Sequence, residues 1–117
     1  MRPFIALVIA LTCATPALAE MPPWAGHWAA EPAWCANQTG TTPQAPIYLA
    51  DTEFRGYENT CDIISAAPLA AGDAWDMNMQ CVGEGQEYEI DAIFMVEDGK
   101  TLFWWDQGFM GHFTRCP

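Results

Sequence analysis

The stretch that decides the fold is Tyr88-Glu89-Ile90-Asp91-Ala92-Ile93-Phe94-Met95-Val96-Glu97-Asp98-Gly99-Lys100-Thr101-Leu102-Phe103-Trp104-Trp105-Asp106-Gln107. Two apolar-rich runs with period-two alternation flank an Asp-Gly pair, the strongest short-range signal for a β-hairpin. A two-residue turn at Asp98-Gly99 places Ile93 opposite Trp104, Met95 opposite Leu102 and Asp91 opposite Asp106. This register puts Ile90, Ala92, Phe94 and Val96 on the core side with Phe103 and Trp105. Asp91, Ile93, Met95, Leu102, Trp104 and Asp106 then form an outward face, apolar at its centre and acidic at its border. Apolar patches rimmed by polar groups mark binding surfaces, so these six residues are the candidate partner-binding site.

Upstream, Cys61 to Ala67 and Trp75 to Cys81 read as a second hairpin joined through Ala71-Gly72-Asp73. A turn centred on Ala71 sets Cys61 across from Cys81 on neighbouring strands. Asp62, Asp76, Asn78 and Gln80 then alternate outward, as a half-buried strand requires. Gly83-Glu84-Gly85-Gln86 links the two hairpins and pairs Cys81 with Tyr88 without a register conflict. Once Cys61 and Cys81 are paired, elimination joins Cys35 to Cys116. The loop-entropy estimate gives these staples about 3 and 4.5 kcal/mol respectively. Further strands are expected at Gly26 to Ala30, Ile47 to Ala50, Glu53 to Tyr57 and Gly111 to Cys116, and no long amphipathic helix fits. The expected fold is all-β, a small antiparallel meander barrel of seven or eight strands with two disulfides, a sandwich being the alternative.

Met1-Arg2-Pro3, the apolar run Phe4 to Leu11 and Ala17-Leu18-Ala19 before Glu20 read as an export leader, residues 1–19. The apolar run is shorter than the roughly 20 residues that span a bilayer. Ala10-Leu11-Thr12 before Cys13 lacks the pattern of a lipid-modified cysteine. No membrane anchor is therefore expected after cleavage, and residues 20–117 form one domain in the periplasm or outside the cell. Four cysteines there suit an oxidising compartment.

The whole chain carries a formal charge of −11. Loss of Arg2 with the leader makes the domain one unit more negative, with Arg55, Lys100 and Arg115 as its basic residues. Nucleic acid and anionic lipid are excluded as partners, whereas a basic protein suits the charge.

Nothing points to catalysis. Ser65 is the only serine and is expected on the buried Cys61 and Ile63 face, and no HExxH, CxxC or phosphate-cradling loop occurs. No cofactor or metal is expected from His27 and His112. The acidic run Glu84, Glu87, Glu89 and Asp91 lacks EF-hand spacing, although calcium would relieve an Asp91–Asp106 pairing.

Gly26-His27-Trp28 near the domain start, with Arg115 near its end, resembles the calycin group, which includes lipocalins and small bacterial metalloprotease inhibitors. The resemblance implies a barrel whose base is closed by Arg115 stacked over Trp28. Gly85-Gln86-Glu87-Tyr88 resembles the SGxxY motif of periplasmic lysozyme inhibitors, with Glu84 in place of its serine. Trp24 to Cys35, Pro46 to Cys61 and Arg115-Cys116-Pro117 are similar to short exported bacterial proteins, a likeness that carries no activity. The expected function is a non-enzymatic module that binds a protein partner, a lysozyme inhibitor being one form. A calycin-type protease inhibitor or a small-ligand or calcium-binding barrel is the alternative.

Overall fold

A computed structural model describes Pro3, residues 8–12 and residues 20–117. The expected leader, its cleavage site and Cys13 lie largely or wholly outside the described residues. Eight antiparallel strands close into a meander barrel: β1 Gly26–Ala29, β2 Ile47–Leu49, β3 Glu53–Arg55, β4 Asn59–Pro68, β5 Ala74–Gly83, β6 Gln86–Glu97, β7 Thr101–Asp106 and β8 Phe109–Arg115. Among the described residues the one helical element is a short 3-10 turn, Pro32–Ala36, in the β1–β2 connection.

The long strands β4, β5 and β6 form the spine. Met77, Met79 and Cys81 of β5 face inward with Ala92, Phe94 and Val96 of β6. Cys61 pairs with Cys81 and Cys81 with Tyr88, as the spacing predicts. Both disulfides form, Cys61–Cys81 across neighbouring strands at a Cα separation of 4.0 Å and Cys35–Cys116 between the ends of the domain. A barrel of eight strands is just wide enough for side chains to fill it. Here Trp24, Trp28, Leu49, Phe54, Phe94 and Leu102 do so.

Arg115 closes the base. Its guanidinium carbon stands 4.1 Å from the centroid of the Trp28 ring, a cation–π contact. The same group donates to three carbonyls: Nε to Gly99 at 2.6 Å, Nη1 to Ala25 at 2.8 Å and Nη2 to Pro23 at 2.6 Å. Gly26 has φ +130° and passes directly beneath it, where a Cβ would lie 2.7 Å from Nη1. The glycine in Gly26-His27-Trp28 is therefore a requirement of this close approach.

Two local registers differ from the sequence expectation. In the β6–β7 hairpin, Ile93 pairs with Trp105, Met95 with Phe103 and Val96 with Leu102, one residue away from the two-residue turn. Asp98 and Gly99, at φ 52° and 68°, do form the central pair of a tight turn closed by the Lys100 N–H on Glu97. Lys100 is then drawn to β8, where its carbonyl accepts the Arg115 backbone N–H at 2.9 Å. Thr101 takes the place opposite Glu97. With a side-chain period of two, that single extra residue turns all of β7 over. Leu102 is wholly buried and Trp104 packs on the core, while Trp105 is 42% exposed.

In β4, a bulge between Ile63 and Ser65 leaves Ile64 unpaired and pairs Ser65 with Asn78. Ser65 is consequently exposed rather than buried.

Two stability outcomes follow from this geometry. Arg115→Lys keeps the charge but cannot fork to three carbonyls, and it should lower the unfolding free energy in urea by about 2 kcal/mol. Trp104→Ala should cost about 3 kcal/mol, since its ring fills the core, whereas Trp105→Ala should cost less than about 1 kcal/mol. Equal losses for the two tryptophans would contradict the β7 register.

Candidate functional site

Three of the expected site residues stand where the alternation of β6 puts them. Asp91, Ile93 and Met95 point outward between the buried Ala92, Phe94 and Val96. The other three do not. Leu102 is inside the barrel, and the Trp104 ring sits 4.7 Å from Phe94 and 5.3 Å from Phe54, centroid to centroid. Asp106 shares their side of β7 and lines the barrel mouth, so it does not oppose Asp91. The reason is the extra residue at Lys100, which exchanges the two faces of β7.

The exchange changes the membership of the outward patch without removing it. Trp105 and Phe103 take the places intended for Trp104 and Leu102, and β8 extends the surface. Ile93, Trp105 and Met110 form one cross-strand row; Met95, Phe103 and His112 form the next. Phe103 and His112 lie with ring centroids 5.3 Å apart. Met110 is 56% exposed and Phe109, at the lip of the mouth, 81%. Sequence reasoning missed Phe103, Trp105, Phe109 and Met110. The signal available for Phe109 and Met110 was Gln107-Gly108, whose φ values of 50° and 84° mark another tight turn and extend the sheet to Phe109. Phe103 and Trp105 had none, because the register of β7 places them.

The β1–β2 connection leaves this patch open. Cys35, Asn37, Gln38, Thr39 and Pro46 lie over the opposite wall, where they border a groove of about 680 Å³ with His27, Tyr48 and Arg55. Asn37 Nδ2 donates to the Gln44 carbonyl and Thr39 Oγ1 to that of Pro46, bonds that tie the connection to itself. Glu53 accepts from Arg55 Nε at 2.7 Å, and this bond and the attraction behind it raise the guanidinium pKa.

The acidic border of the patch is built on the spine. Asn78 Nδ2 donates to Glu89 at 2.6 Å and to Asp91 at 2.8 Å, bridging two carboxylates that would otherwise only repel. Asp76, paired with Ile93, continues the acidic edge. Among the described residues, no three His, Cys, Asp or Glu side chains converge as a metal-holding group. The two histidines have separate surroundings, His27 against Tyr48 at 4.8 Å and His112 against Phe103.

A second concave feature is the barrel mouth, a cavity of about 380 Å³. Ile47, Phe54, Ile90, Trp104 and Phe113 form its apolar wall, with Asp106 and Asn59 as polar groups. Asn59 Nδ2, on its lining, donates to the Tyr88 hydroxyl at 3.2 Å. Nearby Tyr57 has its pKa raised by the charge of Glu58 and by a hydrogen bond to it.

Set against protein-family models, curated proteins and solved structures, the chain matches none of them, so the fold and the site rest on geometry.

Proposed function

We propose that this protein is a non-enzymatic module of an extracytoplasmic, oxidising compartment that binds a protein partner through the outer face of β6, β7 and β8. One observation carries the reading: two rows of apolar and aromatic side chains, Ile93–Trp105–Met110 and Met95–Phe103–His112, lie side by side on that face. Aromatic residues and methionine are the types enriched at the centres of protein interfaces, with polar groups at the rim. Asp76, Glu89 and Asp91 form that rim, and the chain's charge of −11 favours a basic partner and steers its approach. The two disulfides suit an oxidising compartment.

The finer version is inhibition of an enzyme. The pairing of Gly26 and Trp28 with Arg115 supports a calycin-like base, and the acidic rim supports a basic lysozyme as target. A calycin-type protease inhibitor is the alternative. Assays of the oxidised protein against lysozymes and secreted metalloproteases separate the two; inhibition of neither removes both.

The site itself is tested by affinity capture from periplasm and host fluid. Trp105→Ala should weaken capture at least about tenfold, as expected for an aromatic anchor, while shifting the thermal midpoint little. Undiminished capture by a folded Trp105→Ala protein would remove the face from consideration.

A further inference from the structure

The seam between the first and last strands is short. β1 pairs with β8 only at Trp28–Arg115 and Ala29–Thr114, after which the chain turns away through Pro32–Ala36. Cys116 extends the seam at the base, its N–H donating to the His27 carbonyl. Toward the mouth, residues Phe109 to Phe113 pair with β7 on one side. On the other side, no strand pairs with them and no turn or loop backbone bonds to them among the described residues. The barrel is zipped at its base and open at its mouth.

Antiparallel strands direct the backbone groups of successive residues to alternate sides. The Arg115 N–H goes to Lys100, on the β7 side, and the Cys116 N–H to His27, on the β1 side. Counting back from Cys116 in steps of two, Thr114, His112 and Met110 send their N–H and C=O toward β1. Thr114 meets Ala29 there. Met110 and His112 meet no strand. Proteins usually blunt such an edge with lysine, proline or a bulge, and Phe109-Met110-Gly111-His112-Phe113 contains no lysine or proline and no bulge against β7.

Directly beside this edge is the mouth cavity. Gly111 and Phe113 lie on its wall, and a Cβ on Gly111 would come within 2.9 Å of the Phe113 ring. Asp106 supplies a carboxylate to the same cavity. A strand laid along β8 would alternate its side chains between the mouth side, apolar with one acid, and the outer side, which carries Met110 and His112.

From this we infer that β8 is an acceptor edge for an extended segment of a partner polypeptide, which adds as a strand beside Met110 and His112. The segment has alternating apolar residues and a net positive charge. Backbone hydrogen bonds supply the general affinity and the alternating positions supply selectivity, as in other strand-addition complexes. The positive charge follows from the chain's −11 and from Asp106. The inference rests on the protein-binding reading above and names the form of the partner.

The probe is a blocked peptide of alternating valine and lysine, with two comparison peptides: one N-methylated at alternate residues, the other with glutamate in place of lysine. Binding to the oxidised full-length protein should slow hydrogen exchange at the Met110 and His112 amides, with affinity lowered at least about tenfold by N-methylation or by the acidic replacement. His112→Pro removes one donor from the free edge, at a position where proline is tolerated because its N–H faces away from the ladder. This variant should lose about tenfold in affinity, and His112→Ala much less. Should His112→Pro fail to fold, the N-methylated peptide carries the same question on the unaltered protein.

Equal affinity for the N-methylated peptide, or unchanged exchange at Met110 and His112, overturns the strand-addition proposal. Sedimentation showing that the protein alone dimerises through this edge, and that His112→Pro abolishes the dimer, overturns it in favour of a second copy. Partner capture that depends on Trp105 but not on the His112 backbone leaves the outer face standing and removes the edge. Capture independent of both removes the underlying reading.

Discussion

Arg115 joins three parts of this molecule at the base of the barrel. It lies over the Trp28 ring, donates to carbonyls of Pro23, Ala25 and Gly99, and through its own backbone N–H holds the carbonyl of Lys100. Charge-assisted bonds are stronger than neutral ones, and a planar fork satisfies several acceptors with one ordered side chain. The first strand, the last strand and the β6–β7 turn thereby meet at one point. Because Lys100 is held there, β7 begins its pairing at Thr101, and the side-chain period of two carries that choice to Trp105. The register that starts at Thr101, beside this contact at the base, is the one that turns Trp105 to solvent.

The same closure explains where the molecule is open. Two residue pairs between β1 and β8 and the Cys35–Cys116 disulfide secure the seam near the base. Above them β1 has ended, its continuation turned back by Pro32 and held outside the barrel. The apolar rows of β6 to β8, the free edge of β8 and the mouth cavity are therefore neighbours, and all three border the end of the chain's last hairpin. The opposite wall is covered by the β1–β2 connection. Coverage on one side and apolar exposure on the other give the barrel two unlike faces.

Much of the architecture was legible without coordinates. Cysteines spaced to meet across a hairpin, alternation along β5 and β6, and X-Gly turns specify the spine, and both disulfides follow from that register. The site was legible in part. Asp91, Ile93 and Met95 lie on β6, whose own alternation settles their direction; Leu102, Trp104 and Asp106 lie on β7, whose direction depends on the length of a turn. Asp98-Gly99 suits a tight turn in either register, so local chemistry does not distinguish the two. Ser65 was misplaced for the same reason, since nothing in Ile63-Ile64-Ser65 announces a bulge.

Composition, cysteine spacing and hydrophobic period by themselves determined an acidic, doubly stapled all-β domain and its meander order, because these depend on contacts between neighbours along the chain. The stacking of Arg115 on Trp28 was expected from the two ends of the sequence, whereas the faces of β7 and the unpaired edge of β8 were decided only in three dimensions. The edge depends on the early end of β1, which pairs with β8 across nearly the whole domain, and the faces of β7 depend on the rung that joins Lys100 to Arg115 outside the β6–β7 turn.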